Sequence, residues 1–162
     1  MKESKADFLR RWGLPYPHYS WSNLRYKHPP EKGVYWYHFS VFVRIRDIEL
    51  WGTCISCGRP ITGLDTCQAG HFMPAKDCGR DLLFDPLNVN AECAHCNAFD
   101  ETHLLKYAEN LDLRYGSGTA LSLRNRREEY KNGPVVKDWS RIEYERKIQE
   151  IRQSTMEYLT PV

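Results

Sequence analysis

The apolar positions before residue 50 recur at the spacing of a helix. They follow steps of three and four residues and comprise Val34, Tyr37, His38, Val41, Ile45 and Ile48. Because side chains three and four residues apart share one face of an α-helix, this spacing predicts a helix from Val34 to Ile48, although the segment is rich in β-forming residue types. His38 lies on the predicted apolar face, where we interpret it as a packed core histidine.

The middle of the chain has the pattern of short strands and turns. Seven glycines and prolines fall between residues 53 and 90, which leaves no room for a long periodic element. We predict one strand that leads into His71 and a second strand around Leu87–Ala91. A helix should then begin near Cys93 and run to about Leu113, before a glycine-rich turn.

The C-terminal segment predicts two further helices. The first covers Ala120–Lys131, and the second begins after Asp138, whose side chain suits an N-cap. One stripe of the second helix steps by four and three residues through Tyr144, Ile148, Ile151, Thr155 and Tyr158. Such a stripe predicts a face that packs on the protein core or on a second subunit.

Two Cys-x-x-Cys pairs flank the turn-rich segment. The thiols are Cys54, Cys57, Cys93 and Cys96, and 35 residues separate the two pairs. Each pair can bind one edge of a tetrahedral ion, so together they predict a closed, structural zinc site. The remaining cysteines, Cys67 and Cys78, have irregular spacing, which favours free buried thiols over a second metal site completed by a histidine.

Composition places the chain among globular proteins. It has 162 residues, 41% apolar and 27% charged, which predicts one compact domain with extensions. We expect no membrane association, because no apolar run approaches the length of about 18 residues that spans a bilayer. The N-terminus lacks a signal-peptide core, so we expect a cytoplasmic protein, in which reduced thiols favour metal over disulfides.

The net charge of +2 is unevenly distributed along the chain. Residues 1–53 carry +4, residues 54–103 carry −4 and residues 104–162 carry +2. In the N-terminal arm, which we define as residues 1–33, basic side chains alternate with Trp and Tyr and comprise Arg10, Arg11, Arg25 and Lys27. This alternation is typical of segments that contact phosphates and stack on bases, and equally of an arm that packs its aromatics on the domain.

The residues around the second thiol pair follow the order of an HNH (ββα-metal) nuclease. His71 is the candidate general base, because a neutral imidazole can activate water near pH 7. Asn88 would fix the loop that carries the base, with Asn90 as the competing candidate. At helical spacing, Asn97 and Asp100 share one face and could together hold Mg²⁺ or Mn²⁺, with Glu101 as an alternative to Asp100. Candidate phosphate contacts nearby are Lys76, Arg80, His95 and His103.

Several short segments together resemble a known family. They are Phe42–Asp47, Cys54–Gly58, Ala69–Phe72, Asn88, Cys93–Asn97 and Tyr107. This set resembles the lambda-type NinG/Rap recombination nucleases. The resemblance implies a phage-encoded, structure-specific DNA endonuclease in the bacterial host cytoplasm, acting on branched recombination intermediates such as junctions, flaps and D-loops. The Cys-Asn junction is also similar to recombination endonuclease VII, which acts as a dimer, and so implies a homodimer and phage recombination proteins as partners.

One position departs from the family pattern. Many HNH enzymes carry Asp or His directly before the base as a metal ligand, whereas this chain has Gly70. The ligand would then come from Asp100, from Asp65 or Asp85, or from His71 itself. Two other functions remain open at this point: a non-catalytic zinc adaptor that binds DNA or a recombination protein, and an RNA-directed or toxin-type nuclease.

The sequence therefore predicts an α+β fold with a small zinc-stabilised ββα-metal (HNH) core and flanking helices. We expect the N-terminal arm to be followed by the nuclease core at residues 34–116. A C-terminal helical extension should cover residues 117–162.

Overall fold

The structure, a computed structural model, describes residues 30–98 and 102–159. In chain order its elements are helix α1 (Pro30–Leu50), strand β1 (Gln68–His71), a 3₁₀ turn (Ala75–Asp77), helix α2 (Arg80–Leu83), strand β2 (Val89–Glu92), and helices α3 (Ala94–Ala98), α4 (His103–Tyr115), α5 (Thr119–Asn132) and α6 (Arg141–Leu159). Helices combined with one small antiparallel sheet confirm the α+β class.

Helix α1 lies between helix α6 and the sheet and packs on both. The predicted helix is confirmed, but the predicted single apolar face is wrong. Because two sides of α1 are covered, its buried side chains include Tyr35, Trp36, Phe39 and Val43, which lie off the predicted stripe. His38 is only half-buried, with its ring edge-to-face on Tyr37 rather than in the core.

An aromatic cluster joins α1 to α6. The Tyr35 ring meets Phe84 edge-to-face at 4.9 Å, and Phe84 stacks on Trp139 at 5.7 Å between ring centroids. Tyr144 and Ile148, the first residues of the predicted C-terminal stripe, are fully buried in this cluster. The first half of the stripe therefore packs on the core of its own chain.

The N-cap predicted at Asp138 is wrong, since Ser140 caps helix α6. The Ser140 hydroxyl accepts a hydrogen bond from the Glu143 backbone N–H at 3.3 Å, and the Ser140 N–H donates to the Glu143 carboxylate at 2.7 Å. This reciprocal pair is a capping box. Asp138 instead binds the Lys32 ammonium at 2.6 Å and accepts from the Tyr144 hydroxyl at 2.8 Å, and so ties α6 to α1.

The single helix predicted from Cys93 to Leu113 is two helices. Helix α3 ends at Ala98 and packs on the sheet, whereas α4 begins at His103 and packs on α5. The two segments differ because they serve different neighbours: α3 holds two of the cysteines, and α4 buries Tyr107 and Leu111 in a second core.

The predicted domain boundaries divide elements that pack together. The boundary at residue 33 falls inside α1. From the predicted extension, Leu123 joins the second core, and Tyr144 joins the aromatic cluster. Both C-terminal helices therefore contribute to the core.

Strands β1 and β2 pair antiparallel, close to the predicted positions. The register places Gln68 opposite Glu92, Ala69 opposite Ala91, Gly70 opposite Asn90, and His71 opposite Val89. The pairing thus places the strand that ends at His71 beside the strand that leads into the second cysteine pair. Among the described elements, no helix has the length and apolarity to cross a membrane.

Candidate metal centre and active site

The four paired cysteines converge in one cluster. Their sulfur atoms all lie within 4.8 Å of one another. The Sγ atoms of Cys57 and Cys93 are 3.8 Å apart, close to the edge of a tetrahedron built from Zn–S bonds of about 2.3 Å. Cys54, Cys93 and Cys96 are buried. This cluster can hold a structural metal ion such as zinc.

Local backbone geometry shapes the first cysteine pair. Gly58 adopts a φ of +72°, a left-handed conformation that favours glycine, and its N–H donates to the Cys54 carbonyl at 2.9 Å. The Cys93 N–H donates to the Cys54 sulfur at 3.3 Å. A turn and a cross-pair hydrogen bond therefore contribute to holding the two pairs together.

Cys67 and Cys78, predicted as free buried thiols, form no disulfide within the described residues. Cys67 is buried and Cys78 is half-buried, and neither joins a metal-binding group within the described ranges. Burial raises the pKa of the Cys78 thiol to about 11, so this thiol stays protonated near neutral pH.

His71 ends strand β1 and is held on two sides. Its Nε2 lies 3.0 Å from the Leu83 carbonyl oxygen, and its ring stacks on Trp36 at 5.0 Å with an interplanar angle of 14°. A carbonyl oxygen can only accept, so we assign the ring proton to Nε2. Nδ1 is then the nitrogen that can accept a proton, which a general base requires.

Asn88, predicted to fix the loop that carries the base, forms side-chain hydrogen bonds to the backbone of the segment that follows His71. Its Oδ1 accepts from the Met73 N–H at 2.7 Å, and its Nδ2 donates to the Leu82 carbonyl at 2.9 Å. The Phe72 N–H donates to the Asn88 carbonyl at 2.8 Å. One buried side chain thus joins the segment that follows His71 to helix α2, whose Leu83 carbonyl orients the imidazole.

We expect Asn88→Ala to lower the free energy of unfolding by roughly 3 kcal/mol, because it leaves a buried N–H and a buried carbonyl without their partner. Urea unfolding of the zinc-loaded protein measures this change. Asn132→Ala is the matched control: the Asn132 side chain is exposed and donates to the Glu128 carbonyl, so we expect a change below about 0.5 kcal/mol. Equal stability of the two variants would contradict the bridging role.

Asn90, the competing candidate, belongs to a different network. Its Oδ1 accepts from Arg46 at 2.9 Å and its Nδ2 donates to the Tyr107 hydroxyl at 3.2 Å, while Tyr107 donates to the Gly70 carbonyl at 2.9 Å. Burial would lower the pKa of Arg46, but the charge and hydrogen bond of Asp47 raise it above its usual value. This network therefore holds the backbone of Gly70, directly before His71, rather than the segment that follows His71.

Asn97 on helix α3 shares a cavity with His71. Its Nδ2 donates to the Gln68 side-chain oxygen at 2.7 Å, which fixes the orientation of the amide. The cavity measures about 220 Å³ and is lined by His71, Asn97 and His103 among other residues. The structure thus brings the predicted base and the predicted ligand Asn97 together, whereas predicted ligand Asp100 and its alternative Glu101 lie outside the described residues.

A buried carboxylate beside this cavity was missed by the sequence analysis. Glu92 is fully buried, its Oε1 accepts from the Ser56 hydroxyl at 2.5 Å, and the same oxygen lies 3.8 Å from Nε2 of His103. A signal was present in the sequence: Asn88, Asn90 and Glu92 alternate with apolar residues. This period-two pattern places three polar side chains on one face of strand β2.

The other carboxylates considered as metal ligands lie elsewhere. Asp85 forms an ion pair with Arg126 and accepts from the Leu87 N–H at 2.7 Å. Asp65 is exposed in the turn that follows Gly63. Neither residue lines the cavity of His71 and Asn97.

The predicted DNA contacts do not all lie near the cavity of His71 and Asn97. Lys76 is exposed in the 3₁₀ turn whose Ala75 lines the cavity. Arg80 points elsewhere, with its guanidinium 5.4 Å from the Trp139 ring centroid and 3.1 Å from Asp81. The predicted arm contacts Arg10, Arg11, Arg25 and Lys27 lie outside the described residues.

A second cavity adjoins the first and contains a basic residue that was not predicted as a contact. It measures about 230 Å³, shares Ala69 and Asn97 with the first cavity, and is also lined by Arg44. The Arg44 guanidinium is oriented by the Ser40 carbonyl at 3.0 Å and the Leu64 carbonyl at 2.9 Å. His71 thus lines one of the two neighbouring cavities and Arg44 lines the other.

These features define a small α+β domain that contains a cluster of four cysteines able to hold a metal ion. The family model for "Bacteriophage Lambda NinG protein" matches residues 36–157. The chain therefore belongs to the NinG family of bacteriophage proteins.

Individual relatives agree with this membership. The chain is 28% identical over 120 residues to "Protein ninG" of Salmonella phage P22, and the match covers 73% of the chain and 56% of the relative. It is 27% identical over 120 residues to "Protein ninG" of Escherichia phage lambda, covering 73% of the chain and 55% of the relative. The chain thus spans about half the length of the curated relatives that it matches. No solved structure matches the chain.

Proposed function

We propose that this protein is a metal-dependent, structure-specific DNA endonuclease of the HNH type that hydrolyses phosphodiester bonds in branched recombination intermediates. The observation that carries the proposal is the cavity shared by His71 and Asn97 directly beside the four-cysteine cluster. The family resemblance supports DNA, rather than RNA, as the substrate.

His71 would act as the general base. With Nε2 donating to the Leu83 carbonyl, Nδ1 can take a proton from a water molecule as that water attacks the phosphorus. Stacking on Trp36 fixes the plane of the ring. A positioned base of this kind accelerates a reaction by about 10²–10⁴-fold.

The donor chemistry beside His71 fits a hard divalent cation. Asn97 directs Nδ2 to Gln68 and so presents Oδ1 on the side away from that residue, and amide oxygens are ligands for Mg²⁺ and Mn²⁺. When bound, such a cation would supply Lewis-acid stabilisation of the charge that develops on the phosphate and the leaving oxygen.

Basic residues around the two cavities would position the DNA. Arg44 lines the cavity on one side of Asn97, and Lys76 is exposed near the other. Both can bind phosphate oxygens without reading the base sequence, which suits an enzyme that recognises DNA by its branches. The N-terminal arm remains the predicted source of further phosphate and base contacts.

The direct test is a cleavage assay with the zinc-loaded full chain. We expect cleavage of labelled flap and four-way DNA with Mg²⁺ or Mn²⁺, weaker cleavage of linear duplex, and none without a divalent cation or with EDTA. Zinc content is measured in every reaction, so that loss of the structural ion is not mistaken for loss of the catalytic one.

The controls separate the competing functions. A His71→Ala protein purified in parallel reports any contaminating nuclease. Binding of the same DNA without cleavage in either metal would indicate a zinc adaptor and would contradict the proposed activity. Faster cleavage of single-stranded RNA than of any DNA would contradict the proposed substrate.

A further inference from the structure

The glycine before His71 leaves a space that a neighbouring carboxylate occupies. A β-carbon on Gly70 would stand 2.0 Å from Oε2 of Glu92 and 2.9 Å from Oδ1 of Asn97. The φ of Gly70 is not positive, so a side chain at this position would be opposed by the Glu92 carboxylate and the Asn97 amide rather than by backbone strain. Two oxygen donors from two different elements therefore converge over the Cα atom of the residue that precedes the base.

We infer that Glu92 is the carboxylate ligand of the catalytic divalent cation, acting together with Asn97. This inference rests on the proposed nuclease function and adds the ligand for which the sequence offered no residue next to the base. Strand β2 provides the carboxylate across the sheet, on the face of Gly70 from which a side chain at that position would have projected.

Both cysteine pairs hold Glu92 in position. Ser56 lies between Cys54 and Cys57 in the first pair and donates to Oε1 of Glu92 at 2.5 Å. Glu92 itself directly precedes Cys93 in the second pair, as Asn97 directly follows Cys96. The structural metal centre thereby fixes both proposed ligands of the catalytic cation.

The burial of Glu92 is consistent with this role. Buried carboxylates are stabilised by charge pairing or by metal coordination. Ser56 donates to Oε1, which also lies 3.8 Å from Nε2 of His103, and a divalent cation beside Oε2 would stabilise the carboxylate further. Carboxylate and amide oxygens, at about 2.1 Å from the ion, are the ligands that Mg²⁺ selects.

The experiment is a Mn²⁺ titration of the zinc-loaded full chain, followed by electron paramagnetic resonance of free Mn²⁺ and requiring neither DNA nor activity. We expect one Mn²⁺ site in the unmodified chain. Glu92→Gln keeps the shape of the side chain and should weaken binding by at least about tenfold. Glu109→Gln, an exposed residue that lines a different cavity, is the charge-matched control and should leave binding unchanged.

Two variants at Gly70 test the geometry independently. Gly70→Ala adds only a β-carbon, which must displace the Glu92 carboxylate, so we expect weaker Mn²⁺ binding without a change of charge. The double variant Gly70→Asp with Glu92→Ala moves the carboxylate to the other strand. We expect it to recover binding to within about tenfold of the unmodified chain.

The outcomes distinguish this inference from the proposed function. Unweakened Mn²⁺ binding in folded, zinc-loaded Glu92→Gln would overturn the ligand assignment, as would the absence of any Mn²⁺ site in the unmodified chain. If Glu92→Gln fails to fold, Gly70→Ala tests the ligand assignment instead. Unweakened Mn²⁺ binding in that variant would overturn the assignment. Mn²⁺ binding that depends on Glu92, in a protein that cleaves no nucleic acid, would support the site and contradict the nuclease.

Discussion

Replacement of His71 by alanine should lower the rate of DNA cleavage by at least about 10²-fold, the lower range for loss of a positioned general base. Binding of branched DNA in the absence of a catalytic cation and the zinc content should stay near the values of the unmodified chain. The reason is that His71 acts on water, and its ring is not part of the cysteine cluster. Single-turnover cleavage with saturating protein measures the rate without a contribution from product release.

A second substitution separates the base from a structural role. His71 also stacks on Trp36 and contacts the Leu83 carbonyl, so alanine removes packing as well as chemistry. His71→Gln keeps an N–H that can donate to Leu83 but provides no proton acceptor of suitable basicity, and it should be as inactive as the alanine variant. His38→Ala, a half-buried histidine of α1 outside the cavity, should retain full activity. Substantial cleavage by folded His71→Gln would contradict the general-base assignment.

Features set by local sequence were predicted well. The two short strands, the end of α4 before Gly116 and the two Cys-x-x-Cys turns depend on turn residues and on short spacings along the chain. Gly58, whose φ is positive, is an example of a glycine that closes a turn at the metal centre. Such patterns depend on neighbouring residues, so they can be interpreted without knowing which elements pack together.

Features set by packing could not be predicted in the same way. The apolar stripe predicted for α1 lies on one face, but the helix is covered by α6 on one side and by the sheet on the other. Periodicity reports a face only when the other face is in water. The break between α3 and α4 has a similar origin, since each half packs on a different neighbour.

The candidate site also combines residues that could be predicted from local sequence with one that could not. His71, Asn88 and Asn97 were predicted from their order along the chain, and the structure gives each a defined set of partners, while their roles remain predictions. Glu92 gains its significance only from the antiparallel register, which brings its carboxylate over Gly70. Nothing in the sequence links Gly70 on one strand to Glu92 on the other. Their contact can be deduced only when the register is known.

The four-thiolate centre has the largest expected effect on stability. Zinc binding supplies about 10–16 kcal/mol of apparent free energy in small zinc domains, which matches or exceeds the about 5–15 kcal/mol that holds a typical domain together. In this chain the cluster joins the first cysteine pair, strand β2 and helix α3 around Ile61 and Ala91. Without the ion, hydrophobic contacts in this part of the protein are few and small.

We therefore expect Cys93→Ser to lose the zinc equivalent and the cooperative thermal transition, and with them any cleavage activity, because Glu92 and Asn97 flank this cysteine pair. Zinc per chain, determined by elemental analysis, and circular dichroism melting measure the two losses. Cys67→Ser is the matched control: Cys67 is also buried, and packs in the same hydrophobic cluster, but is not one of the four converging thiols. It should keep one zinc per chain and lose only about 1–2 kcal/mol of stability, as expected for a modest change in a core. A Cys93→Ser protein that retains both its zinc and its melting transition would show that the cluster is not the metal centre that organises this fold.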